Sequence, residues 1–282
     1  MSRTIRPACR LIALASLLLA VACGEPVATP EPVYLRVAGG MAMGQLIEEL
    51  AAAYHEQSPG VSIEVTAPGT QFGLDALRAG EVDLAMASWL PPGSRESNSS
   101  EGGIDPRWQR TAFARDGIAL VVHPSNPVDG LGLLQLQDLY SGRLDEWVAL
   151  SGRTGLGYVQ PVSREEGSGT RAAFEALVMG ERQVVPLAVL AVSDQAVVEY
   201  VAGHRNAIGY VAMSAVSAEV KALKVEGELP TVDSTSRGSY PLTHELFLVT
   251  AGPPSKALQA FLDYLLSPAG QQIVGQHFRR IK

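Results

Sequence analysis

The spacing of apolar positions changes repeatedly along the chain. Residues 34–38 form a short apolar run, and then Leu46, Ile47, Leu50, Ala51 and Tyr54 recur at helical spacing. In residues 61–66, Val61, Ile63 and Val65 alternate as in a strand. A glycine-rich turn over residues 69–73 leads to a short helix with Leu74 and Leu77 on one face, and residues 83–87 read as another strand. A polar stretch, residues 91–105, separates these elements from a strongly apolar strand over residues 113–123. Residues 134–140 have a helical pattern and 158–162 read as a strand. A helix follows with Phe174, Leu177 and Val178 on its apolar face. A helix–strand unit spans residues 194–213, a second apolar strand covers 245–250, and a helix over 256–266 closes the series. This alternation predicts an α/β fold with ligands at the strand C-terminal ends, where loops meet helix N-termini. Two α/β lobes joined by two crossing strands use this order economically.

The N-terminus does not fit that pattern. Arg3, Arg6 and Arg10 precede an apolar run over residues 11–21, which ends in Ala20-Val21-Ala22-Cys23. A run of about a dozen apolar residues is too short to cross a ~30 Å hydrocarbon core, so it reads as a signal peptide. Its ending resembles a bacterial lipobox, with Ala20 where leucine is commoner and Cys23 as the lipidated first residue. The alternative is ordinary cleavage after Ala20-Val21-Ala22, which leaves Cys23 a free thiol. The expected organisation is a signal peptide over residues 1–22 and a proline-rich tether over 23–32. A first lobe follows over 33–115 and a second over 116–243. The chain then returns to the first lobe over 244–282.

Composition narrows the functional classes. The 282 residues are 46% hydrophobic and 18% charged, which suits a folded body with a sizeable core. Loss of the leader removes three basic residues and no acidic one, taking the formal net charge from −7 to −10. That balance excludes a broad nucleic-acid-binding surface. It also removes Cys9, so Cys23 is the one cysteine left and no intrachain disulfide is possible.

The candidate chemistry lies in three turns, each just before a helix. The richest is Gly167-Ser168-Gly169-Thr170, preceded by Arg164. A helix N-terminus offers unpaired N–H groups and partial positive charge, glycines permit a concave turn, and the hydroxyls and guanidinium add donors. A plain N-cap by Ser168 or Thr170 would explain the same residues. The turn Gly69-Thr70-Gln71-Phe72-Gly73 follows the same logic with one hydroxyl, and residues 39–44 offer backbone donors alone. No Gly-x-Ser-x-Gly elbow or Walker-type motif is present, and the five histidines show no metal-ligand spacing. The chain is therefore read as a non-enzyme with no metal and no cofactor.

The chain resembles the phosphate-binding proteins of bacterial ABC transporters, the PstS group. The resemblance rests on Gly80-Glu81-Val82-Asp83-Leu84-Ala85-Met86-Ala87-Ser88, Arg115-Asp116-Gly117-Ile118-Ala119, Asn126-Pro127-Val128 and Leu139-Tyr140-Ser141-Gly142-Arg143 with Trp147. It continues through Arg164-Glu165-Glu166-Gly167-Ser168-Gly169-Thr170-Arg171, Ala207-Ile208-Gly209-Tyr210, Tyr240-Pro241-Leu242 and Ser267-Pro268. It implies a two-lobed, periplasmic-binding-protein-like fold of class II, with phosphate held in the cleft. Arg164, Ser168, Gly169 and Thr170 match the second-lobe site, and Thr70 stands where the family has a serine. The earliest turn departs, with Gly40, Met41 and Ala42 where a hydroxyl residue is common. Trp89 stands where some members place a ligand-binding aspartate and others an arginine, and His244 replaces an arginine.

Hydrogen phosphate carries a proton and sulfate does not, so a selective pocket needs an acceptor, usually a carboxylate. With Trp89 at one such position, Asp116 and Glu166 are the candidate acceptors. Each also has a structural reading: a turn or hinge hydrogen bond for Asp116 and an ion pair orienting Arg164 for Glu166. The resemblance implies a monomeric, lipid-anchored extracytoplasmic protein that captures inorganic phosphate for ABC transporter permease subunits. The alternatives are capture of another oxyanion (sulfate or a phosphonate) and an envelope sensor or adhesion module with little ligand affinity.

Overall fold

A computed structural model describes residues 32–90 and 105–281. The signal peptide, Cys23, the tether to residue 31 and the polar stretch 91–104 lie outside the described residues. Strands β1 (Val33–Gly39) and β2 (Val61–Thr66) pair in parallel, and β1 also pairs in parallel with β3 (Leu84–Ala87). Helices α1 (Gly44–Gln57) and α2 (Thr70–Ala79) make the crossovers. The periodic residues Leu46, Ile47, Leu50, Ala51 and Tyr54 form the buried face of α1, as their spacing predicts. The glycine-rich turn is shorter than expected, because α2 already starts at Thr70.

Strand β4 (Gln109–Val122) is longer than the expected 113–123 segment and organises the molecule. Through Gly117 it pairs antiparallel with the return strand Thr243–Thr250, and from Ile118 onward it pairs antiparallel with Ala207–Ala212. One sheet therefore runs from β2 through β1, β3, the return strand and β4 to Ala207–Ala212, Gln160–Arg164 and Val189–Ala191. Two main cores flank the switch. One gathers Leu35, Ile47, Phe113, Leu246 and Phe261, and the other Ile118, Trp147, Phe174 and Tyr210. This is a mixed α/β, two-lobed fold of the periplasmic-binding type.

Three local departures have local causes. The strand expected at 158–162 runs from Gln160 to Arg164, which carries Arg164 to its C-terminal end. The helix beginning at Gly169 widens into a π turn over Glu175–Met179. A further helix, Pro268–His277, follows the predicted one at Lys256–Leu266. It is started by Ser267, whose side chain caps Gly270 N–H at 3.2 Å, with proline at its first position. Among the described residues, no helix is long and apolar enough to cross a membrane.

Gly73 sets how closely α2 lies on the sheet. A Cβ there would sit 2.5 Å from the Ala38 carbonyl oxygen and 2.6 Å from the Gly39 Cα. The backbone of β1 cannot yield without moving the turn that follows it. Gly73→Ala is expected to destabilise the fold by about 1–3 kcal/mol, the usual cost of overpacking, seen as a lower midpoint in thermal denaturation.

Candidate functional site

The three turns converge. A Cβ on Gly40 would stand 2.5 Å from Ser88 Oγ and 3.3 Å from Thr70 Oγ1, and one on Gly169 would stand 2.3 Å from Thr70 Oγ1. Gly40 and Gly169, 129 positions apart in sequence, thus meet around Thr70 and Ser88, both buried. The strands bring them together: β1 ends at Gly39, β3 ends just before Ser88, and Gln160–Arg164 delivers the Gly167–Thr170 turn. Gly69 and Gly167 have φ of +136° and +85°, conformations that L side chains rarely adopt. Gln71 N–H donates to the Gly167 carbonyl at 3.2 Å, linking the two turns directly. Ser88 N–H donates to Thr70 Oγ1 at 3.1 Å, so this hydroxyl is fixed in place.

Ser168 is the N-cap of its helix, with its side chain accepting from Arg171 N–H at 3.3 Å. The capping reading therefore holds for this residue, and Thr170 is buried beside it. Arg164 is 2% exposed and surrounded by acceptors. Its Nε and Nη2 donate to the two carboxylate oxygens of Glu165 at 2.8 and 2.9 Å, and its Nη1 donates to Asp194 Oδ1. Burial works against its charge, but the Glu165 and Asp194 pairs more than offset this and hold its pKa up. Its backbone N–H donates to Tyr210 Oη at 3.1 Å, and the Tyr210 ring stacks on Phe174 at 4.0 Å. The arginine expected to be oriented by Glu166 is instead held by Glu165 and Asp194, because Glu166 is exposed at the cleft mouth.

Two clefts open at this junction. One, of about 470 Å³, is lined by Thr70, Gln71, Trp89, Glu166 and Ser168. The other, of about 300 Å³, is lined by Met41, Ala42, Ser193, Asp194, Ser214 and His277. Trp89 also packs against the second-lobe core, so it reaches from the first-lobe strand end across the cleft. Spacing alone does not reveal Asp194, a single acid at the first turn of the helix Asp194–Gly203. The signal the sequence carries is Ser193-Asp194 as a helix start. Burial raises the Asp194 pKa, and Arg164 opposes that rise.

Asp116 lies on β4 beside the pairing switch rather than in either cleft. Its carboxylate accepts from Gly117 N–H at 2.7 Å and also from the Met213 backbone. Burial pushes its pKa up to about 8, and the Asp194 charge adds to the rise. His244, its register partner on the return strand, is also buried; its Nδ1 has no hydrogen-bond partner among the described residues. Burial lowers the pKa of His244 to about 4.

The chain belongs to the PBP superfamily and, within it, to the PstS group. It matches the family described as a PBP superfamily domain over residues 26–269. A solved chain from Clostridium perfringens, described as a phosphate ABC transporter substrate-binding protein with bound phosphate, superposes with a TM-score of 0.79 at 30% identity. The match covers 88% of this chain and 100% of that one. An ABC-type phosphate transport receptor from Vibrio cholerae gives a TM-score of 0.74 at 26% identity, covering 88% and 100%. The phosphate-binding protein PstS of Bacillus subtilis is 26% identical over 234 residues, which is 83% of this chain and 75% of that one.

The two buried groups at the switch give a definite pH dependence. Native Asp116 keeps its proton up to about pH 8, whereas the unfolded chain releases it near 3.8, so its contribution to stability is lost as pH rises between those values. Native His244 stays neutral down to about pH 4, whereas the unfolded imidazole takes a proton near 6.5, so stability is lost as pH falls through that range. The two effects oppose each other below pH 6.5, and above it Asp116 acts without that opposition. Denaturant titrations should show stability falling from pH 6.5 toward 8, by about 1.4 kcal/mol per pH unit for one proton. Asp116→Asn should reduce that slope.

Proposed function

We propose that this chain captures inorganic phosphate between its two lobes and delivers it to an ABC transporter, binding without catalysis. The observation that carries the reading is the meeting of Gly40, Thr70 and Gly169, which turns donor-rich helix starts from both lobes toward one place. Backbone N–H groups at helix starts, the hydroxyls of Thr70, Ser168 and Thr170, and Arg164 supply the donors. Met41 contributes main-chain donors only. The lobes hinge where β4 changes partner, so closure buries the anion. The acidic net charge is no obstacle, because donors a few ångströms away outweigh surface charges screened over a ~10 Å Debye length. The relatives' names and the bound phosphate of the Clostridium perfringens chain support this reading.

The working location is outside the cytoplasm, with Cys23 carrying the lipid that anchors a monomer to the membrane and residues 24–32 acting as the tether. Mass spectrometry of membrane-extracted protein should find Cys23 N-terminal and acylated, and Cys23→Ser should release the protein from membranes. A soluble wild-type product cleaved to an unmodified Cys23 would overturn the anchor.

Calorimetric titration of the mature protein with phosphate is the direct test. Gly169→Ala inserts a methyl group between the lobes and should weaken binding by about 1–3 kcal/mol, again as overpacking, with little change in melting temperature. No heat with phosphate, or equal affinity in the variant, would refute this account of closure.

A further inference from the structure

The two clefts at the junction differ in what they leave free. In the smaller one the charged groups are committed: Asp194 accepts from Arg164, and His277 is engaged with Glu49 at 2.8 Å. The larger one, of about 470 Å³, adjoins the donor turns directly, since Thr70, Ser168 and Gly169 all line it. That volume lies in the ~300–1,000 Å³ range of clefts that take organic ligands, and a tetrahedral anion without a substituent fills little of it. Two groups on its wall are uncommitted. Trp89 lines the cleft and is only half-buried. The Glu166 side chain is exposed and makes no hydrogen bond or ion pair among the described residues. The remaining charges on the wall, Arg171 and Glu175, pair with each other at 2.8 Å.

We propose that this cleft receives the substituent of a phosphate monoester, and that the substituent it selects is a short chain ending in an ammonium group. This rests on the phosphate-capture reading and adds a second class of ligand to it. A phosphoryl group held by Thr70, Ser168 and the neighbouring backbone N–H groups borders the cleft that those residues line, so an ester oxygen has a route out of the site. The two free groups on the wall are the partners an ammonium group takes. An indole face attracts a cation through its ring quadrupole, and an unpaired carboxylate attracts it through charge. An anionic substituent would meet Glu166 as a like charge, and an uncharged one would gain from the Trp89 ring alone.

Calorimetry at about pH 7.5, above the ~6 second pKa of a phosphoryl monoester, compares inorganic phosphate, ethyl phosphate and O-phosphoethanolamine on the mature protein. The two esters are similar in size and differ in the terminal ammonium group, so their affinity ratio reads the cleft and not the phosphoryl site. The wild type should bind all three and prefer O-phosphoethanolamine to ethyl phosphate by roughly tenfold. Trp89→Ala and Glu166→Gln should each reduce that preference by roughly threefold or more. A wild type that takes inorganic phosphate but neither ester, or that shows no preference for the ammonium-bearing one, overturns the inference and leaves phosphate capture standing. A preference undiminished in either variant overturns it too. A wild type that binds no inorganic phosphate overturns the capture reading itself, and this inference with it. If Trp89→Ala does not fold, because the ring also packs against the second-lobe core, Glu166→Gln decides alone, since that side chain is exposed.

Discussion

Strand β4 belongs to both halves of the molecule, and the placement of the site depends on that sharing. Its first half pairs with the return strand and its second half with Ala207–Ala212, so a single sheet passes through the waist without a flexible linker. The change of partner comes at Gly117 and Ile118, next to Asp116 and opposite His244. A Cβ on Gly117 would already lie 3.1 Å from Thr235 Cγ2, so side chains crowd this point closely. Buried titratable groups are costly in an apolar setting, and here two of them face one another across neighbouring strands. The waist is therefore narrow and tightly packed.

Charge at the site is compensated rather than accumulated. Arg164 brings one positive charge and meets two carboxylates, Glu165 and Asp194, so its immediate surroundings are net negative before any ligand arrives. An anion bound as proposed would be held by direction more than by net charge: N–H groups at the starts of α2 and of the Gly169 helix, and the Thr70 hydroxyl pinned by its own hydrogen bond. Such a pocket discriminates by where it places donors and acceptors, which suits a ligand defined by its pattern of protons.

Much of the fold is legible in the sequence because burial imposes periodicity. The apolar face of α1, the alternation in β2 and the long run in β4 each correspond to elements with clear inside and outside faces. Element ends are less legible. Gln160–Arg164 is displaced by two residues because Tyr158 and Val159 are apolar but lie before the sheet pairing begins. At the site, Arg164, Ser168, Gly169 and Thr70 are visible as donor-rich turns. Their meeting is not, because it depends on sheet order over more than 100 positions. The pairing of Asp194 with Arg164 is illegible for a related reason: one acid after a serine at a helix start has the same local pattern whether it faces water or a buried guanidinium.

The fit of Gly169 against Thr70 also bears on how an anion held as proposed would leave. The two turns meet so closely that a methyl group has no room between them. For an anion bound between them, an opening of the lobes would part the donors of one lobe from those of the other together. On the proposed reading, unloading would then be an abrupt event, driven by whatever separates the lobes.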